Sequence, residues 1–270
     1  MIKVIDVDGL FDEYISDYVY ANVGKVTPEE IENKIPELYD KFGNEQNDKL
    51  DGKTPNTYYA DASAKELVDT LKKHVEEGVP VSDFLCEALR DGDSETELVN
   101  ALSDDGNEEF ILYVMNVLSD KGSTKACKRY LEFVLWDYSE PIRELATELL
   151  GEMANLVKDD IINQFREVDL DKKACLTEIL SKAEKDDRIL DILIEQFAVN
   201  QDEIPLYANY LARYGDERAL PFLLTAIENE KIKYSDFNEL KFAIESLGGE
   251  YTKERDFTAD ATYKIIKGNK

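Results

Sequence analysis

The sequence contains few of the side chains from which catalytic centres and metal sites are usually built. Among its 270 residues there is one histidine, His74, and there are three cysteines, Cys86, Cys127 and Cys175. Because the cysteines are dispersed and odd in number, they form neither a disulfide framework nor a zinc-ligand pattern, and we interpret them as buried thiols in a reducing compartment. A catalytic triad or a histidine-based metal site would depend on His74 alone. We therefore predict no catalytic residues, no metal site and no cofactor.

The sequence also lacks long apolar runs and basic clusters. No apolar run approaches the roughly 18 residues that a membrane-spanning helix needs, and the N-terminus has no apolar signal-peptide core. Aspartate and glutamate number 59 against 32 lysine and arginine residues, which gives a formal net charge of −27. A surface of that charge repels nucleic-acid phosphates and anionic lipids. We predict a cytoplasmic protein that binds neither nucleic acid nor membranes.

Apolar residues at helical spacing are the main feature of the chain from about residue 61 onward. In the stretch SEPIRELATELLGEMAN, residues 139–155, apolar positions recur at i, i+3, i+4, i+7, i+8 and i+11, which is one face of a helix. Ser139 suits the N-cap, Pro141 suits the first turn, and Gly151 lies near the expected helix end. This pattern predicts an amphipathic helix over the stretch.

Residues that suit N-caps precede such helical patterns at intervals of 14 to 16 residues. Regular spacing predicts helices joined by short turns, so that neighbouring helices are antiparallel. Paired helices form a unit of about 31 residues, and the segments ATELLGEM (146–153) and LTEILSKA (176–183) repeat at a shift of 30. The predicted caps are Asn107, Ser123, Ser139, Asn155, Asp171, Asp187, Asp202 and Asp216.

One turn of this series is similar to a known repeat. In RYGDERALPFLLTAIENE, residues 213–230, the residues Gly215, Asp216, Arg218, Ala219, Pro221 and Leu223 resemble the LGDxRAxPxL turn of HEAT-like repeats of the type found in phycocyanobilin lyases. The segment PIRELATELLGE, 141–152, resembles the first helix of the same repeat. The resemblance implies an all-α fold, an α-α superhelix or solenoid of antiparallel helix pairs with a period of about 31 residues. It implies no catalytic residues, because the repeat motif is structural.

The sequence divides into three predicted regions. Residues 1–60 are expected to form an irregular helical N-terminal cap, with a capping box at Thr27 and Glu30 and a loop over 41–63. Residues 61–250 are expected to form the HEAT-like solenoid, which opens with a capping box at Ser63 and Glu66; Ser94 with Glu97 makes another. Residues 251–270 are expected to be a closing helix or a frayed tail.

The N-terminal stretch MIKVIDVDGL offers an enzymatic alternative. Asp6 and Asp8 with Gly9 resemble the first motif of haloacid-dehalogenase-type phosphatases, which implies that Asp6 is the nucleophile and Asp8 the general acid/base of a magnesium-dependent phosphatase. Such a site lies at the end of a strand in a doubly wound sheet, and no strand is predicted after residue 60. The simpler interpretation is that both aspartates precede the first helix, near its positive end.

We therefore predict a non-catalytic protein–protein interaction scaffold with an acidic surface, whose partner is a protein with a basic or mixed surface. A HEAT-like lyase or modifying protein is the alternative, and the phosphatase is a more remote one. Aromatic residues are enriched at protein interfaces, so we predict that several of them bind the partner. An aromatic stripe at helical spacing also suits a buried core. The residues predicted to bind the partner are Tyr207, Tyr210 and Tyr214 on one helix, Trp136 and Tyr138 at the end of another, and Tyr58 and Tyr59 on a loop.

Overall fold

A computed structural model describes residues 2–103 and 106–267, and these residues form seventeen α-helices and no strand. The prediction of an all-α protein is therefore confirmed for the described part of the chain. The chain divides into two compact units, residues 1–126 and residues 127–270. The predicted boundaries at residues 60 and 250 stay predictions, and residues 268–270 of the predicted C-terminal segment lie outside the described residues.

In the first unit, the described residues form eight helices. Thr27 and Ser63 accept the backbone N–H of Glu30 and Glu66, and both capping boxes form as predicted. Two helices begin within the segment 27–39, and Pro36 occupies the first turn of the second one. The predicted loop over 41–63 contains a 3-10 turn at 48–50 and a one-turn helix. The helices are α1 (Val7–Ala21), α2 (Pro28–Glu32), α3 (Ile35–Asn44), α4 (Pro55–Tyr58), α5 (Ala64–Glu77), α6 (Asp83–Asp91), α7 (Glu95–Ala101) and α8 (Glu108–Asp120).

The second unit contains nine helices among its described residues. Residues 250–260 form neither helix nor strand, and Tyr251 and Phe257 bury their rings against Phe237 at centroid distances of 5.9 and 5.1 Å. A short last helix follows. The helices are α9 (Cys127–Leu135), α10 (Glu140–Glu152), α11 (Ala154–Gln164), α12 (Leu170–Leu180), α13 (Asp187–Val199), α14 (Ile204–Tyr214), α15 (Leu220–Ile227), α16 (Tyr234–Ser246) and α17 (Ala261–Lys267).

The predicted series of N-caps is correct at some positions and displaced at others. Asn107 caps α8, Ser139 occupies the N-cap of α10, and Ser94 occupies the N-cap of α7 without accepting a helix N–H. Asp216 caps the 3-10 turn at 217–219 that leads into α15. The capping role predicted for the other positions is wrong by one to four residues, because several polar residues cluster at each turn and helix packing selects among them.

Two of the displaced caps lie in the first turn of the helix that they were predicted to cap. The true N-caps of α12 and α13 are Asp169 and Asp186, so that Asp171 and Asp187 lie in the first turns. The remaining three predicted caps also lie off the N-cap position: Asn155 lies inside α11, Asp202 lies in the 3-10 turn before α14, and Ser123 precedes the start of α9 by four residues.

Helices two apart in the chain contact each other within each unit. In the first unit α5 packs against α7 and α6 against α8, and in the second unit α10 packs against α12 and α14 against α16. Consecutive helices, such as α13 and α14, are also in contact. Side-chain hydrogen bonds link turns that lie 28 to 32 residues apart, from Tyr214 to Asp186 and from Lys121 to Leu89. This separation matches the predicted length of one helix pair.

Candidate functional site

Two sets of predicted partner-binding tyrosines are buried inside the units. Tyr207, Tyr210 and Tyr214 lie on α14 and are buried, as the core interpretation of an aromatic stripe predicts. The rings of Tyr207 and Tyr210 meet edge to face with centroids 5.7 Å apart. The Tyr214 hydroxyl accepts the N–H of Asp186 at 2.5 Å and donates to its carbonyl oxygen at 3.0 Å. We therefore assign these rings to helix packing and leave them out of the surface proposed below.

Tyr58 and Tyr59 are also buried, at the end of α4 in the first unit. Their rings meet edge to face with centroids 4.9 Å apart, and the Tyr58 hydroxyl donates to the carbonyl oxygen of Lys3 at 3.3 Å. Burial raises the pKa of Tyr59 to about 12. Tyr58 thus connects the N-terminal segment to the 41–63 region.

Trp136 is the predicted residue that the structure places on the surface. It directly follows α9, its backbone N–H donates to the carbonyl oxygen of Glu132 at 2.9 Å, and its side chain is 53% exposed. Tyr138 lies two residues further on and is partly exposed. The indole is therefore presented to solvent from a hydrogen-bonded helix end.

Arg129 stabilises the turn that carries Trp136. Its guanidinium lies 4.8 Å from the ring centroid of Phe133 and 5.5 Å from that of Tyr138. It also donates to the Tyr138 hydroxyl at 2.9 Å and to the Glu132 carboxylate at 2.7 Å. Cation–π contacts and charge-assisted hydrogen bonds act together here, so the chain after α9 is held in one conformation.

Residues from the start of α12 complete this surface. Lys172 places its Nζ 3.5 Å from a carboxylate oxygen of Asp137 and 3.6 Å from one of Asp169. The lysine side chain is only 17% exposed, whereas both carboxylates are almost fully exposed. Leu170, next to Asp169, is 73% exposed. We call this surface the Trp136 edge: Trp136, Asp137, Asp169, Leu170 and Lys172.

The Trp136 edge joins two exposed apolar side chains to two exposed carboxylates. One partly buried ammonium balances only part of the carboxylate charge, so the edge is apolar with a negative rim. This arrangement suits recognition of a surface that carries both apolar and cationic groups. Asp169, Leu170 and Lys172 were not predicted as site residues from the sequence, because the cap of α12 was predicted at Asp171. The sequence signal that could have indicated this surface is Leu170, an apolar residue at the first position of α12 and outside its apolar face.

The Asp6–Asp8 motif lies at a helix start rather than at a strand end. Asp6 is the N-cap of α1, and its carboxylate accepts the N–H of Gly9 at 2.7 Å. The helix begins at Val7, so Asp8 lies in its first turn and not before the helix as predicted. Burial, then the neighbouring carboxylates of Asp83 and Asp6, raise the pKa of Asp8. Asp6 thus acts as a helix cap, and the strand that a dehalogenase-type site requires is not found among the described residues.

The other side chains that could act as a base, a nucleophile or a metal ligand are His74 and the three cysteines. His74 is fully buried on α5, with its Nδ1 2.8 Å from the carbonyl oxygen of Pro80. The three cysteines are free thiols and are partly rather than fully buried. Burial raises the pKa of Cys86 to about 11, so its nucleophilic thiolate is scarce at neutral pH. No three His, Cys, Asp or Glu residues in the described ranges are arranged to hold a metal ion.

Comparison with protein-family models, with curated proteins and with solved structures finds no match to this chain. The similarity to HEAT-like repeats therefore rests on the sequence motifs and stays a prediction. None of the helices described in residues 2–103 and 106–267 has the length and apolar character needed to span a membrane.

Proposed function

We propose that this chain is a non-catalytic scaffold that binds a protein with a basic or mixed surface through the Trp136 edge. The observation that carries the proposal is the placement of Trp136 and Leu170, both more than half exposed, beside the exposed carboxylates of Asp137 and Asp169. Tryptophan is among the residues that most often dominate binding energy at protein interfaces.

The proposed framework is a HEAT-like α-solenoid of helix pairs. Contacts between helices two apart, found separately in each unit, are those expected when successive helix pairs stack. The hydrogen bonds between turns about one period apart support the same arrangement. Asp186 with Arg188 and Asp216 with Arg218 repeat the same contacts 30 residues later, which favours a structural repeat.

Charge complementarity indicates the chemistry of the partner. The chain carries a formal net charge of −27, and long-range attraction of this kind raises the association rate of a basic protein. Apolar contact with Trp136 and Leu170 would supply the part of the affinity that salt does not screen. The complex should therefore weaken at high salt.

No observation in the structure favours the two enzymatic alternatives. The HEAT-like lyase is supported only by the repeat resemblance, which carries no catalytic residue. A visible absorption band in protein purified from a bilin-making host would support it. The phosphatase depends on Asp6, whose carboxylate accepts a helix N–H. Loss of a measurable phosphatase activity in Asp6→Asn would be the minimum support for that alternative.

The test is a quantitative pull-down from lysate of the native organism with three forms of the full chain: wild type, Trp136→Ala and Phe242→Ala. Phe242 is an exposed aromatic residue of the second unit with nearly the same exposure, so it controls for general stickiness. We expect the wild type to recover one protein in near-stoichiometric amount and high salt to release it. Phe242→Ala should recover the same amount, whereas Trp136→Ala should recover at least about tenfold less. Equal recovery by Trp136→Ala, or no partner at low and high salt, would contradict the proposal.

A further inference from the structure

A groove with a volume of about 310 Å³ lies in the second unit, between α11 and α13 and beside α12. Ile162 and Phe165 supply one apolar wall and Ile192 supplies the other. Small-molecule sites in proteins begin at about 300 Å³ and are mostly apolar, with a few polar groups that orient the ligand. The groove is thus large enough for a ligand the size of an amino acid or a dipeptide.

At one end of the groove, Arg188 forms ion pairs with two aspartates. Arg188 donates to the carboxylates of Asp159 at 2.7 Å and of Asp186 at 2.6 Å. The first of these bonds joins α13 to α11. Arg188 therefore serves as a structural bridge between the two walls.

The other four charged residues of the groove are unpaired. Arg166 and Lys173 bring two positive charges, and Asp191 and Glu195, one turn apart on α13, bring two negative charges. None of the four forms an ion pair with another described residue, although charges of both signs line the same groove. Because these opposite charges line one groove without forming ion pairs with each other, they leave room for a ligand that carries both a positive and a negative charge.

The side-chain amide of Gln196 adds a hydrogen-bond donor to the groove. Gln196 lines the groove and is only 5% exposed. Its Oε1 lies 3.5 Å from Nδ2 of Asn200, while its Nε2 donates no hydrogen bond within the described ranges. The Nε2 donor is therefore available to a ligand in the groove. The Lys173 Nζ lies 6.0 Å from the Phe165 ring centroid.

We propose that this groove binds a small zwitterion with an apolar side chain, of the size of a free amino acid or a dipeptide. Arg166, Lys173 and the Gln196 amide receive its carboxylate, and Asp191 and Glu195 receive its ammonium. Phe165 and the two isoleucines contact its apolar side chain. This site is separate from the Trp136 edge and does not rest on the proposed protein-binding function.

The test measures binding of four probes to the full chain by isothermal titration calorimetry: phenylalanine, alanyl-phenylalanine, N-acetylphenylalanine and phenylalanine amide. The last two lack the ammonium and the carboxylate charge respectively. We expect phenylalanine or the dipeptide to bind, and each blocked analogue to bind about tenfold or more weakly than phenylalanine, because a charge-assisted contact is lost. Failure of both zwitterions to bind, or equal binding of the blocked analogues, would overturn the proposal.

Two variants test which residues contact the carboxylate and which contact the ammonium of the ligand. Arg166→Gln should weaken the binding of phenylalanine about tenfold and leave the binding of phenylalanine amide unchanged, since that probe has no carboxylate for the arginine. Glu195→Gln should weaken the binding of phenylalanine and leave the binding of N-acetylphenylalanine unchanged, since that probe has no ammonium for the glutamate. Lys128→Gln and Glu167→Gln, exposed charges of the same unit outside the groove, are the matched controls. Equal losses in the variants and their controls would assign the effect to general electrostatics and refute the site.

Discussion

At the scale of single residues, the surroundings of an aromatic side chain decide what it contributes. Trp136 and Phe133 are three residues apart, at the end of α9 and just beyond it. Phe133 is fully buried and meets the Tyr138 ring edge to face at 4.7 Å, whereas Trp136 is more than half exposed. Burial of a large apolar side chain stabilises the fold, and exposure leaves the side chain available to a partner.

We expect Trp136→Ala to change the free energy of unfolding by no more than about 0.5 kcal/mol, as exposed substitutions usually do. Phe133→Ala should lower it by about 3–5 kcal/mol, because a fully buried ring is removed. Urea unfolding followed by circular dichroism measures both. A loss of several kcal/mol in Trp136→Ala would mean that the indole supports the fold, and would count against its assignment to a binding surface.

Two glycines in helix-packing positions should respond in opposite ways to alanine. A Cβ at Gly151, the last residue but one of α10, would meet the flexible end of Lys182 at 2.6 Å. At Gly249 a Cβ would meet Leu220 at 2.7 Å and Ile244 at 2.9 Å. We expect Gly151→Ala to be neutral or to stabilise by up to about 1 kcal/mol through helix propensity, and Gly249→Ala to destabilise by about 1–3 kcal/mol through overpacking. Thermal melts of the two variants would test this, and the same sign of change in both would refute it.

At the scale of secondary-structure elements, an aspartate and an arginine two residues later organise two successive turns. Asp216 caps the turn before α15 and binds Arg218, which also reaches Asp187 at 2.8 Å. Asp186 and Arg188 do the same before α13, and Arg188 reaches Asp159. Each arginine therefore connects its own turn to the preceding helix pair. A local capping motif is in this way also a contact between helix pairs.

The stability of these turns should depend on pH in the acid range. The hydrogen bonds from Arg218 lower the pKa of Asp216 from 3.8 to about 2, and those from Arg188 lower the pKa of Asp186 likewise. A lowered pKa in the folded state means that the stabilisation is complete above pH 4 and is lost as the pH falls from about 4 to about 2. We expect Asp216→Asn, which keeps a cap acceptor, to flatten this decline in the urea midpoint between pH 5 and pH 2. Asp202→Asn, an exposed turn aspartate, is the control; an unchanged decline in Asp216→Asn would contradict the assignment.

At the scale of the whole molecule, the excess of carboxylates works against folding while it favours a basic partner. A net charge of −27 repels itself in the compact state, and added salt screens that repulsion. The same screening should release a basic partner from the Trp136 edge. Salt therefore acts in opposite directions on the isolated protein and on its complex.

We expect the melting temperature at pH 7 to rise as NaCl is increased from about 10 to about 150 mM, over which the Debye length falls from about 30 to about 8 Å. Near pH 4.4, the isoelectric point of the sequence, the same salt increase should have little effect, because the net charge is close to zero. Circular dichroism melts at the two pH values measure the difference. An equal response to salt at both pH values would show that repulsion between carboxylates is not the cause.

The sequence by itself determined the all-helical class of the described chain and many of the helix starts. Helical periodicity and N-capping act over a few residues, so Thr27, Ser63 and Asn107 could be predicted from their neighbours alone. Where several polar residues cluster, as at Asp186 and Asp187, local chemistry permits more than one start, and packing selects one of them.

Only the tertiary structure decided which aromatic residues are exposed and which charges meet. Tyr207, Tyr210 and Tyr214 are spaced as a helical stripe, a pattern that suits an exposed face or a core equally well. The packing of α14 against α13 and α16 buries them, while the end of α9 leaves Trp136 in solvent. Lys172 meets Asp137 from 35 residues away, and Arg166 shares a groove with Glu195 without pairing. Such contacts depend on how helices distant in sequence pack, and no local pattern contains that information.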